Sequence, residues 1–372
     1  MRTLRGEAVD RPAVNFYEIG GFEIDRTDPD RFNIYNSPSW QPLLDLAERE
    51  TDLIRLRPPR YTPSPPNNTS EFWTTQEWEE GDSKFTRSIL NVGGRRMQSV
   101  QRRDAGVDTV WEVEHLLKDT DDLRAYLELP GSTWDYDVDV EHMVQAEKEV
   151  GERGIVMVDM TDPLCHAAAL FSMADYTVVA LTEGRLFHRL LAKWAMPIWK
   201  RTEQVSAAFP ARLWRIPGPE YATPPYLPPR LFEEYVVRYT GPMVQAIHRH
   251  GGFARIHCHG RIREVLPYFV KMGFDATDPI EPPPQGNVGL SWVRKEYGKD
   301  LVLFGNIEVA DIENLSPSEF ETKCAASLRD GTSETGRGFV LMPSSCPYGR
   351  DISPNVMANC RTMVRLATGA GA

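Results

Sequence analysis

From about residue 136 to the end, short apolar runs alternate with longer amphipathic stretches. Helical spacing covers 142–153, 164–181, 183–208, 229–250, 261–272, 287–297, 316–330 and 354–368. Strand-like runs fall between them at 154–159, 213–216, 255–259, 276–279, 301–304 and 338–342. Upstream, 13–18 and 52–57 read as further strands around a helix at 38–51. Apolar positions three and four apart mark helix faces, whereas short continuous apolar runs mark strands buried on both sides. Strand and helix alternating over more than 200 residues predict a parallel sheet, either doubly wound or closed into a (β/α)8 TIM barrel.

One region breaks the rhythm. Segments 85–91, 95–102 and 109–114 alternate polar and apolar residues and are separated by Gly93-Gly94 and Asp104-Ala105-Gly106. They predict a small antiparallel meander, a β-rich N-terminal insertion at about 84–115 in a single barrel domain spanning 1–372. The Pro-, Ser- and Asn-rich stretch 58–69 predicts a loop.

Composition narrows the function classes. With 41% hydrophobic and 26% charged residues, the chain has ample material for a core. Its formal charge of −11 and lack of Lys/Arg clusters argue against a nucleic-acid partner. No apolar run approaches the ~18 residues of a spanning helix, and Met1-Arg-Thr-Leu-Arg-Gly-Glu lacks the apolar core of a signal peptide. Five scattered cysteines do not form a disulfide framework. These features predict a cytoplasmic protein without a membrane partner.

Parallel barrels do their chemistry where strands end, so polar residues just past each strand are the candidates. These are Asn15, Tyr17 and Glu18, then Asp159, Glu220, His257 and His259, Asp278 and Glu281, Asn306 and Glu308, and Ser344 through Cys346. In Ala254-Arg-Ile-His-Cys-His-Gly260 the two histidines share one face of a strand while Cys258 takes the other. Two imidazoles on one face suit zinc, and a thiolate from elsewhere, Cys346, would leave the open position of a catalytic site. The competing reading is a pair of histidines that only cap the strand.

Several stretches resemble the uroporphyrinogen decarboxylase superfamily. They are Leu4-Arg-Gly-Glu-Ala-Val-Asp-Arg-Pro12, the Leu117-Lys-Asp-Thr-Asp-Asp turn, Gly273-Phe-Asp-Ala-Thr-Asp-Pro-Ile-Glu281 and Val302-Leu-Phe-Gly-Asn-Ile-Glu308. The resemblance implies a (β/α)8 barrel. After the first strand, true decarboxylases of that group carry Arg-Gln-Ala-Gly-Arg-Tyr, whose arginines hold porphyrinogen carboxylates. This chain has Asn15-Phe-Tyr-Glu-Ile-Gly-Gly-Phe22, with no arginine and an added acid.

The corrinoid-linked methyltransferase branch, of the methylcobamide:coenzyme M type, instead carries His-x-Cys followed by a distant Cys that together bind zinc. Here His257 and Cys346 match, and His259 stands where that branch has cysteine. The resemblance implies zinc on His257, His259 and Cys346, with Glu220 as a movable fourth ligand; Cys258 would serve only if the strand slipped by one residue. It also implies methylcobalamin on a partner corrinoid protein, and a thiol or other small methyl donor or acceptor. Glu220, Tyr17 and Asn306 are the catalytic candidates, and Glu281 and Asp159 the cofactor-binding ones. The alternative is a metal-free decarboxylase or lyase acting on a non-porphyrin substrate.

Overall fold

The computed structural model describes residues 1–63, 69–333 and 336–369. Eight strands form one sheet: β1 (Ala13–Val14), β2 (Leu53–Arg57), β3 (Gly154–Asp159), β4 (Leu213–Pro217), β5 (Phe253–His257), β6 (Ala276–Asp278), β7 (Val302–Ile307) and β8 (Phe339–Pro343). Every pairing is parallel, and chain neighbours are sheet neighbours from β2 round to β8, which returns to β1. This is the (β/α)8 barrel, with helices on the outside.

The seam between β1 and β2 is closed largely by one residue. Asp52 donates its N–H to the Val14 carbonyl at 2.8 Å, accepts from Asn15 Nδ2 at 2.9 Å, and offers its carboxylate to the Val14 N–H at 2.9 Å. Arg11 clamps the same carboxylate with both terminal nitrogens, at 2.7 and 3.1 Å.

Strands buried on both faces supply two cores. Alternate residues such as Val156, Ile256, Leu303 and Leu341 meet the helices. The others, including Leu56, Met157, Leu213, Val302, Phe304 and Met342, fill the barrel. Within that apolar filling lies a charged pair of zero exposure. Arg255 Nε is 3.0 Å from Asp278 Oδ1, a close contact whose N–H is not aimed along the line, and the guanidinium lies 4.8 Å over the Phe304 ring.

Several elements depart from the sequence expectation for local reasons. The first strand stops at Val14 rather than 18, because Asn15 Oδ1 accepts the Tyr17 N–H at 2.8 Å and Tyr17 takes φ +58°. The stretch 164–181 is two helices, Pro163–Ala168 and Met173–Thr182, since Ser172 caps the second by accepting from Asp175 N. The helix expected at 261–272 begins at Leu266, after Gly260 turns at φ +83°. The meander has four strands, not three. Trp73–Glu80 was missed because its Thr-Thr-Gln-Glu run carries no apolar alternation. Within the expected loop 58–69, Arg60–Pro63 pairs antiparallel with Tyr136–Asp139, and 64–68 lie outside the described residues.

The meander is tied to the loop after β8. Val107 bridges Gly349, Asp108 N donates to Tyr348 O at 2.8 Å, and Arg350 N donates to Gly106 O at 2.9 Å. Among the described residues no helix is long and apolar enough to cross a membrane.

Removing the Asp52 carboxylate strands the buried Val14 N–H and releases Arg11. Asp52→Ala is therefore expected to cost about 1–3 kcal/mol in urea unfolding, most of it from the unpaired N–H rather than from the partly exposed ion pair. Far-UV circular dichroism should be unchanged.

Candidate functional site at the barrel mouth

The C-terminal ends of β5 and β6 place two imidazoles against two carboxylates. His257 Nδ1 lies 2.7 Å from Asp278 Oδ2, and His259 Nδ1 lies 2.7 Å from Glu281 Oε1. An ionised carboxylate only accepts, so each Nδ1 carries a proton, and in the neutral form of either ring Nε2 keeps the lone pair. Neither Nε2 has a hydrogen-bond partner among the described residues. The rings stand edge to face, with centroids 4.6 Å apart. Metal-binding histidines are commonly oriented in this way by a carboxylate on the far nitrogen.

Electrostatics separate the two rings. Burial, aided by the positive charge of Arg215, pushes His257 down to about 3, so its ring is neutral at any ordinary pH. Burial also acts to lower His259, but the hydrogen bond and charge of Glu281 outweigh it and hold this ring above the usual value. For Asp278, burial favours the neutral acid. Arg255 and His257 overcome that and keep it ionised, at about 2.

Tyr17 reaches across from β1. Its ring stacks on His257 at 5.9 Å and lies beneath two guanidiniums, Arg215 at 5.3 Å and Arg255 at 5.9 Å. Its hydroxyl is buried and has no hydrogen-bond partner among the described residues. A left-handed tyrosine costs about 1–2 kcal/mol, and this packing holds it there.

The other sequence candidates are placed as follows. Cys346, after β8, does not sit with the histidines: its thiol donates to Glu18 Oε2 at 2.8 Å. Burial drives that thiol well above its usual pKa, and the charge of Glu18 acts the same way. Among the described residues no three His, Cys, Asp or Glu side chains meet around one point. Cys258 is buried in the outer core.

Glu220 accepts the Gly218 N–H at 2.9 Å, and burial raises its pKa. It lies within electrostatic reach of His259. Gly218 makes that loop possible: φ is +121°, and a Cβ would sit 2.3 Å from Asp162 Oδ1. Glu281, expected to touch a cofactor, spends its second oxygen on the Gly260 N–H at 2.6 Å, so both oxygens orient the His259 segment. Asp159 pairs with Arg215 at 3.0 Å and lines a cavity of about 590 Å³ beside the mouth. Asn306 follows Gly305, where a Cβ would meet the Pro279 carbonyl at 2.2 Å, and its Oδ1 is buried without a partner.

Sequence reasoning missed Arg215 and Arg255. The available signal was one arginine inside each of two otherwise apolar strands, Leu213-Trp-Arg-Ile and Ala254-Arg-Ile. It also missed Asp162, which is fully buried, caps the helix Pro163–Ala168, and accepts from Cys165 N at 2.8 Å and Thr240 Oγ1 at 2.9 Å.

Comparison with known proteins adds context to this geometry. The sequence model of a family described as Uroporphyrinogen decarboxylase (URO-D) matches residues 118–367. No curated protein matches the chain by sequence. A solved structure described as a methyltransferase from Methanosarcina mazei is similar over 100% of this chain and 97% of its own, at TM-score 0.60 and 13% identity. A D-psicose 3-epimerase with D-tagatose from Clostridium cellulolyticum aligns with 63% of this chain and 92% of its own, at TM-score 0.30 and 10% identity.

Burial raises Asp162 to about 7, against the hydrogen bonds from Cys165 and Thr240. Above the ordinary value of 3.8 the unfolded chain loses this proton while the folded chain keeps it, so stability falls as pH rises from there to about 7. The loss is at most roughly 4 kcal/mol for a shift of about three pH units. Asp162→Asn is expected to flatten this slope, read as the difference in melting temperature between variant and wild type across about pH 4 to 8.

Proposed function

Because the chain belongs to the uroporphyrinogen decarboxylase (URO-D) family, we propose that it is a methyltransferase. It moves a methyl group between a corrinoid on a partner protein and a thiol or other small acceptor or donor, with zinc at the barrel mouth. The observation that carries this reading is the imidazole pair at the end of β5, both Nδ1 atoms held by carboxylates and both Nε2 atoms left for a ligand. The full-length likeness in fold to a protein described as a methyltransferase supports it.

The donors fit zinc in kind: two oriented imidazoles and a thiol. The two rings lie side by side, with centroids 4.6 Å apart, and Cys346 would complete the set by giving up its bond to Glu18. When bound, zinc supplies a Lewis acid that favours the anionic form of an acceptor thiol or polarises the heteroatom of a methyl donor.

The chain's own residues do the rest. Asp278 and Glu281 fix the two rings. Tyr17 packs on His257 and narrows the mouth, excluding water from that face. Glu220, raised by burial and within electrostatic reach of His259, would take or return an acceptor proton. The unpaired Oδ1 of Asn306 is available to orient a substrate donor.

The decarboxylase alternative needs a guanidinium free to hold substrate carboxylates. Arg215 and Arg255 are instead committed to Asp159 and Asp278.

Purified protein is expected to carry about one zinc per chain, as catalytic sites of this type do. His257→Ala should abolish both zinc retention and demethylation of methylcobalamin across a panel of thiols. Asp278→Asn should weaken zinc affinity by about 10–100-fold, measured by competition with a chromogenic chelator. Full activity in His257→Ala, or in protein holding no metal, overturns the reading.

A further inference from the structure

We infer that the barrel mouth is built to receive a small molecule carrying a cationic nitrogen, a quaternary or protonated amine, in preference to an anion. This rests on the methyl-transfer reading only for what happens to the molecule afterwards, not for its binding.

The first observation is a charge imbalance among buried groups. Six carboxylates ring the mouth: Glu18, Asp159, Glu220, Asp278, Glu281 and Glu308. Arg215 and Arg255 answer Asp159 and Asp278, and Glu281 accepts from His259 Nδ1 and the Gly260 N–H. Glu18, Glu220 and Glu308 have no ion-pair partner among the described residues. They accept only from a thiol, a backbone N–H and the Ser344 hydroxyl. A buried carboxylate without a cation is costly, and a second anion beside it costs more.

The second, independent observation is a set of polar atoms that wait for a partner. Glu308 Oε1, Asn306 Oδ1 and the Tyr17 hydroxyl are each on a residue at least nine-tenths buried, and none has a hydrogen-bond partner. The Tyr17 hydroxyl lies among Arg215, Asp278, Arg255 and Glu18, which fixes it in the mouth. Unpartnered guanidinium nitrogens of Arg215 and Arg255 lie beside Asp159 and Asp278, whereas Glu308 Oε1 and Asn306 Oδ1 are acceptors with no cation against them.

The spread of this charge indicates what kind of cation fits. A metal ion needs its ligands to converge, and among the described residues no three carboxylates, thiols or imidazoles do. An alkylammonium distributes its charge over its methyl or N–H surface and meets carboxylates and aromatic faces at several points. The faces of the Tyr17 ring are taken by His257 and the two guanidiniums, so the unpaired carboxylates carry the recognition. Zinc held by His257, His259 and an ionised Cys346 would leave Glu220 and Glu308 still unanswered. The adjoining cavity continues the sign, with six acidic residues against three arginines in its wall.

The test uses three probes of one shape: choline, the neutral 3,3-dimethylbutan-1-ol and the anionic 3,3-dimethylbutanoate. Each is titrated calorimetrically into the full zinc-loaded chain and into Glu308→Gln and Glu18→Gln, both checked for folding by circular dichroism. Choline is expected to bind at least about tenfold tighter than the alcohol, with the anion weakest. Either variant should cut the choline preference about threefold or more while leaving the alcohol unchanged. Equal or tighter binding of the alcohol or the anion overturns the proposal, as does failure of choline to bind. A preference seen only without zinc also overturns it, since the carboxylates would then serve the metal. Loss of the methyl-transfer reading would appear separately, as no methylcobalamin demethylation with any acceptor while the ligand preference stands.

Discussion

The site depends on a carboxylate held where water is excluded. Asp278 has zero exposure, yet it stays ionised because Arg255 and His257 approach it from two sides. Its charge sets the tautomer of His257, and the ring fixed in this way presents Nε2 to the mouth. Without a negative Asp278, Arg255 would be an isolated cation inside the barrel, and the imidazole would be free to turn. A buried ion pair of this kind is weak evidence for stability but strong evidence for orientation. Three side chains from two neighbouring strands are locked together, and the third, His257, keeps Nε2 without a hydrogen-bond partner among the described residues.

Around this centre the mouth is organised by the barrel's repeating connection. Past the strand ends, connections of very different length deliver polar groups to a common ring: Tyr17 and Glu18 after β1, Glu220 after β4, His259 after β5, Glu281 after β6 and Glu308 after β7. The backbone exceptions fall where that delivery is tightest. Gly218 yields to Asp162, Gly305 yields to the Pro279 carbonyl, and Tyr17 takes a left-handed turn so that its ring can cross the opening. The seam at Asp52 matters for the same reason: Tyr17 and Glu18 leave from β1, and β1 has only two paired residues to hold it.

Much of this was legible in the sequence, and the limits have physical causes. The strand rhythm gave the barrel because strands buried on both sides need continuous apolar runs, and the positions of His257, His259, Glu220, Asp278 and Glu281 at strand ends followed from it. Period-two alternation placed both histidines on one side and turned Cys258 into the core. Side-chain partners distant in the chain were not legible. That Cys346 lies against Glu18, more than three hundred residues away in the chain, depends on the angle at which two loops leave β8 and β1. The strand Trp73–Glu80 escaped because an exposed sheet edge needs no apolar alternation. Arg215 and Arg255 escaped because a charge in a buried strand reads as noise until its counterion is known.

The meander is fastened to the barrel through Gly106–Asp108 and Tyr348–Arg350, just past the loop that carries Cys346. The segment that holds the thiol is therefore anchored, two residues past the sulfur, to a sheet outside the barrel, so the seating of Cys346 against Glu18 is shared between two parts of the fold.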